Sequence, residues 1–216
     1  MPLILRKCQK DGYSRNNFYY GNTGDIVTCP DWNPEPECGN GLHGLLEGSG
    51  NWALLYGEDW LIIEANESDI VEIDDQKCKF RTGTILFRGT TEELRNSEFP
   101  ARFNLNSFYA YKWGIEIGNH DIMMHKNTKS YWAYKWAYTI GNHDIMINKI
   151  TESEWAYFWA INIGNQDVMI DKINDSYNAY WWARNIGNQD VMKPKITDPY
   201  HINIWNMYFT NNQIIT

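Results

Sequence analysis

One interval governs the second half of this chain. Gly118, Gly141, Gly164 and Gly187 stand 23 residues apart, and each opens GNHD or GNQD. Trp113, Trp136, Trp159, Trp182 and Trp205 keep the same spacing. A period of this length marks a repeat array, in which each copy is one supersecondary unit that needs a neighbour to cover its apolar face. The fifth copy is degraded: after Trp205 the chain reads MYFTNNQIIT, with Thr210 at the glycine position.

Comparison of the copies separates fixed from drifting positions. In the second copy the fixed ones are Ala133, Tyr134, Trp136, Ala137 and Ile140. Ala133, Trp136, Ala137 and Ile140 fall at i, i+3, i+4 and i+7, the buried stripe of an α-helix, whereas a strand would fix alternate residues. Each helix is expected to end at its glycine, which enters the left-handed conformation without strain. NHDIMINKI then suits a short second helix, with Asp144 near its start and Lys149 near its end, as the helix dipole favours. Thr128, Thr151, Asn174 and Thr197 stand ahead of the helices as expected N-caps, and Thr151 with Glu154 reads as a capping box. The pattern predicts an α-solenoid of about five helix–turn–helix units over residues 100–216. A parallel β-solenoid with coils of similar length is the alternative.

Residues 1–99 read as a separate, β-rich domain, so the fold class is α+β. PLILRKC, NFYYG, DIVTC, WLIIEA, DIVEI, KCKFRTG and TILFRG are short apolar or alternating runs punctuated by Gly, Asn, Asp and Pro. Pro30–Gly50 is rich enough in Pro and Gly to predict one long irregular loop, and TEELRNSEFP a brief helix before the array.

Charge divides the chain at the same place. Residues 1–99 hold 17 Asp and Glu against 9 Lys and Arg, while residues 100–216 hold 10 against 10. Neither half offers the basic stripe that nucleic-acid phosphates require, so a nucleic-acid partner is not expected. The longest apolar stretches are broken by charge, as in NWALLYGEDWLIIEA, which argues against a membrane span. Cys8, Cys29, Cys38 and Cys78 match no CxxC pairing, which argues against structural zinc and for reduced thiols in a cytoplasmic setting.

Several side chains are candidates for chemistry or recognition. His43 lies in a glycine-rich phrase near Cys38; a Cys–His pair is one reading, and a histidine bonded to backbone in a tight turn is the favoured one. His120 and His143 share a column that continues as Gln166 and Gln189, a substitution that suits a polar turn better than a metal site, so no metal is expected. The Asn119, Asn142, Asn165 and Asn188 column reads as turn structure. Tyr109, Trp132, Trp155 and Trp181 lie off the fixed stripe or at its rim and are the candidate partner-binding residues, since exposed Trp and Tyr anchor interfaces. Packing against an adjacent short helix is the competing account of them.

The phrase CGNGLHG (Cys38–Gly44), preceded by GDIVTCPDW and followed by WLIIEA and DIVEIDDQKCKFRTGTILFRG, resembles a small domain of uncharacterised bacteriophage and bacterial proteins with a C-x-x-G-[LF]-H phrase. The array is similar to short AY-x-x-A helical repeats met in phage and giant-virus proteins. That resemblance implies a viral or phage-encoded chain and carries no activity with it. GNGLHG also looks like the G-x-G-[LF]-[HY] phrase near the NAD pocket of ADP-ribosyltransferases and RNA 2′-phosphotransferases. This second likeness implies Arg6 and His43 as ligand contacts and Glu72 as the catalytic carboxylate. The leading expectation is a non-enzymatic protein without cofactor that binds a host or viral protein through its repeats; the NAD-binding enzyme is the alternative.

Overall fold

The computed structural model describes residues 1–210, and the chain forms two compact units, Met1–Asn127 and a second that begins at Thr128. The architecture is α+β, with a β-rich N-terminal part followed by helices.

Seven antiparallel strands make the sheet of the first unit: β1 (Leu3–Cys8), β2 (Ile26–Thr28), β3 (Leu42–Leu46), β4 (Asp59–Ala65), β5 (Ile70–Ile73), β6 (Lys77–Phe80) and β7 (Thr82–Gly89). Their spatial order is β2-β7-β4-β1-β3-β6-β5. β1 and β4 are the most apolar runs and lie centrally, paired along their lengths from Leu3↔Glu64 to Cys8↔Asp59. Only Arg81 separates β6 from β7, yet β6 pairs with β3 and β5 while β7 pairs with β4 and β2. The bend there curls the sheet over a core that includes Ile4, Leu61, Ile63, Phe80 and Ile85.

Two expectations for this unit change. NFYYG forms no strand; Tyr13 and Tyr19 make only an isolated bridge. Leu42–Leu46 is a strand inside the stretch expected to be an irregular loop, so His43 sits on β3. Gly44 misled the reading because its glycine is needed for close approach: a Cβ there would collide with the Ile4 side chain of the adjacent strand. The brief helix after β7 is present as α1 (Thr91–Arg95), closed by a capping box between Thr90 and Glu93. After α2 (Phe99–Arg102), the first helical pair, α3 (Ser107–Glu116) and α4 (His120–Lys126), belongs to the same compact unit as the sheet. Trp113 of α3 is fully buried, with ring contacts to Phe103 at 5.0 Å and Trp52 at 6.0 Å.

In the second unit each copy is a ten-residue helix, a turn and a short helix. The pairs are α5 (Ser130–Thr139) with α6 (His143–Met146), α7 (Ser153–Asn162) with α8 (Gln166–Met169), and α9 (Ser176–Asn185) with α10 (Gln189–Met192), followed by α11 (Pro199–Trp205). Each four-residue helix runs on into one 3-10 turn. Among the described residues no strand lies between Ser107 and Trp205, which removes the β-solenoid alternative. α5 packs on α7, α7 on α9 and α9 on α11, with Trp136, Trp159 and Trp182 fully buried beside Met146, Met169 and Met192. The last part of the degraded copy, beyond Thr210, lies outside the described residues. No helix is long and apolar enough to cross a membrane among the described residues.

The turns follow the expected glycine logic. Gly141, Gly164 and Gly187 have φ of +110°, +119° and +116°, and the asparagine after each is also left-handed. The helix starts differ from expectation. Thr151 and Glu154 form no capping box: α7 is preceded by Glu152, which makes no side-chain cap bond, while Asp175 and Asp198 cap α9 and α11. The backbone N–H groups of Thr151, Asn174 and Thr197 are instead taken by the preceding copy. Ser130, Ser153 and Ser176 accept them on Oγ at 3.0, 2.9 and 2.8 Å. A second set of inter-copy bonds comes from lysine. Lys172 Nζ donates to the Ile150 carbonyl at 2.6 Å, and Lys195 Nζ to those of Ile170 and Ile173 at 2.9 and 2.8 Å.

Candidate functional site

Two places gather the candidate residues, one in each unit. On the helical unit, Trp132 and Trp155 occupy the third position of α5 and α7, a column that continues as Asn178; Trp181 shares another column with Lys135 and Phe158. All three tryptophans are half-buried, each against an aromatic ring of its own helix: Trp132 on Tyr131, Trp155 on Phe158 and Trp181 on Tyr177. Trp155 is the hub. Its ring meets Tyr131 at 4.6 Å and Tyr134 at 5.8 Å from α5, and Phe158 of its own helix at 5.6 Å. The outward members of the group are Phe158 and Tyr138, 38% and 59% exposed, with Ile161 and Tyr177 on the same unit also open to solvent. Trp181 lies against Tyr177 and Tyr180, with the Arg184 guanidinium 5.0 Å from its ring centre. Tyr109 belongs to the other unit, half-buried on α3 beside Phe108. Tyr131 and Phe158 complete the cluster from columns that carry Glu154 and Lys135 in other copies, so no pattern along the sequence singles them out.

The histidine column is occupied with structure. His120 Nε2 lies 3.0 Å from the Gly114 carbonyl and His143 Nε2 3.0 Å from that of Ala137; Gln166 Nε2 reaches the Ala160 carbonyl at 3.5 Å. Both residue types therefore reach the carbonyl six positions earlier, which accounts for the exchange of His for Gln between copies.

In the sheet unit, Arg6 and His43 come together although 37 residues apart. β1 and β3 pair at Ile4↔Leu46 and Leu5↔Leu45, then diverge while both continue. Arg6 fills the split: Nη1 donates to the His43 carbonyl, and the guanidinium lies 4.3 Å from the centre of the Tyr20 ring. Burial, reinforced by Lys77, Arg6 and Lys79, pushes the His43 imidazole down to about 4, so it is neutral at pH 7. Arg6 Nε and His43 Nε2 are buried without a hydrogen-bond partner among the described residues. Cys38 does not pair with His43; its sulfur accepts from Lys77 Nζ at 2.8 Å.

Glu72 does not join this pair. The registers His43↔Lys79↔Val71 and Gly44↔Cys78↔Glu72 place it two strands from His43 with its side chain on the opposite face. It lines a different cavity, with Glu47 and Glu67.

Comparison with known proteins returned no match: no family model, no curated protein and no solved structure matches this chain.

Proposed function

We propose that this chain is a protein-interaction module whose 23-residue copies form one solenoid of about five, and that it binds a protein partner through the aromatic face of the repeats. The reading rests on the Trp155 cluster. Rings from two successive copies are joined side by side outside the buried tryptophan stripe, with Phe158 and Tyr138 turned to solvent. Large rigid rings in that position supply contact area at small entropic cost, which is what interface anchors do. The unbroken register from Trp113 to Trp205 supports the single array. A viral or phage setting remains part of the proposal, carried by the resemblance of the repeats alone.

The test is capture of partners on immobilised full-length chain, set against the same chain carrying Phe158→Ala and Tyr138→Ala. Both side chains are exposed, so the variant is expected to keep its fold, which its circular dichroism checks. The expected result is a discrete partner retained by the native chain and lost, by about tenfold or more in affinity, from the variant. Equal retention by both would reject the aromatic face as the docking surface.

A further inference from the structure

We propose that the split between β1 and β3 is a binding site for a small hydroxylated phosphate monoester. The inference is independent of the interaction surface on the repeats.

Two cavities, of about 480 and about 270 Å³, adjoin there and share Arg6, Arg15 and His43 in their walls. The volumes suit a small molecule. Their charge is opposite to that of the domain around them. Of the nine Lys and Arg in residues 1–99, Arg6, Lys7, Arg15, Lys77 and Lys79 gather around this split. The smaller cavity is lined by four of these cations and no carboxylate, and the larger adds Asp31 alone. None of the five forms an ion pair among the described residues. Like charges drawn together repel, and an anion between them turns that repulsion into attraction.

The unpartnered atoms specify the ligand further. Arg6 Nε is a buried donor that needs an oxygen acceptor. His43 Nε2 is a second buried atom without a partner, and a hydroxyl beside the phosphate, able to donate or accept, satisfies it in either tautomer of the neutral ring. Tyr56 and Leu54, 64% and 48% exposed, offer an apolar wall for the carbon skeleton. Two other concavities lack this combination. One of about 980 Å³ mixes Lys10 with Asp11 and Glu58, and the one at Glu72 is acidic.

Ribose 5-phosphate is the probe, titrated into the full chain at low ionic strength by calorimetry, with ribose and inorganic phosphate alongside. Arg15 is exposed and its replacement leaves the core intact. Saturable one-to-one binding is expected, weakened about tenfold or more in Arg15→Gln and in His43→Ala, as loss of a charged or buried hydrogen bond implies. Arg81→Gln, an exposed cation outside both cavities, is expected to leave affinity unchanged. Absence of saturable binding at millimolar ligand, or equal affinity in Arg15→Gln, overturns the site. Ribose binding as tightly as its phosphate overturns the anion's role, and inorganic phosphate binding as tightly overturns the hydroxyl's.

Discussion

Ser153 Oγ accepts the backbone N–H of Asn174 at 2.9 Å and faces the Asn174 side-chain oxygen at 2.7 Å, tying the start of α7 to the segment that leads into α9. Ser153 is buried, so Ser153→Ala leaves that N–H without an acceptor and without easy access to water. The expected loss is about 1–3 kcal/mol of unfolding free energy. Glu154→Ala, at the exposed next position, is expected to stay within about 0.5 kcal/mol. Urea unfolding followed by tryptophan fluorescence measures both; equal losses would deny Ser153 its special place.

The turn after α7 gives a prediction about backbone alone. Gly164 has φ +119°, and nothing lies within 4 Å of a Cβ built on it. Gly164→Ala therefore destabilises through conformation, by about 1 kcal/mol or more, with no clash to relieve. Asn165, at φ +53°, is expected to lose about 1–2 kcal/mol as alanine and almost nothing as glycine. Thermal melts should rank Asn165→Gly beside the native chain and above both alanine variants.

The helices were legible because one burial pattern recurs: the Trp holds in all five copies, and the full Ala, Trp, Ala and Ile stripe in the second, third and fourth, while the surroundings drift. The bonds between copies were not. The Thr or Asn ahead of each helix reads as its cap, and only the neighbouring copy shows that Ser153 spends its oxygen 21 residues downstream. Lys172 reads as a cation suited to the end of a short helix; its bond to the Ile150 carbonyl depends on where the previous turn lies. In the sheet, β3 was hidden by Gly44, whose reason is a side chain on another strand. The same gap explains Glu72. Which face a strand residue occupies depends on register, and no local pattern in DIVEI reveals register.

His43 makes the stability of the sheet unit sensitive to acid. Its folded-state value of about 4 lies below the ordinary 6.5, so between those values the unfolded chain binds a proton that the folded chain refuses. The unfolded state then has the larger proton count, and stability falls as pH drops through that window; above about 6.5 the contribution is constant. His43→Gln removes the titration. Urea midpoints at neutral pH and near pH 5 should therefore drop more in the native chain than in the variant. Equal drops would assign the acid sensitivity to the carboxylates.

Removal of one full period tests the array directly. Deletion of residues 151–173 joins Ile150 to Asn174. Ser130 Oγ, which holds the Thr151 N–H at 3.0 Å, then meets the Asn174 N–H that Ser153 held at 2.9 Å. Lys195, bonded to the Ile173 carbonyl at 2.8 Å, finds that of Ile150 in the same place. Trp182 packs where Trp159 did. The shortened chain is expected to keep cooperative unfolding and its helical circular dichroism per residue, with lower stability because one interface between copies is gone. Deletion of residues 151–161 removes about half a period, brings Asn162 rather than Asn174 to Ser130, and is expected to abolish cooperative unfolding of the helical unit. Two deletions with the same outcome would mean that the copies are not interchangeable layers.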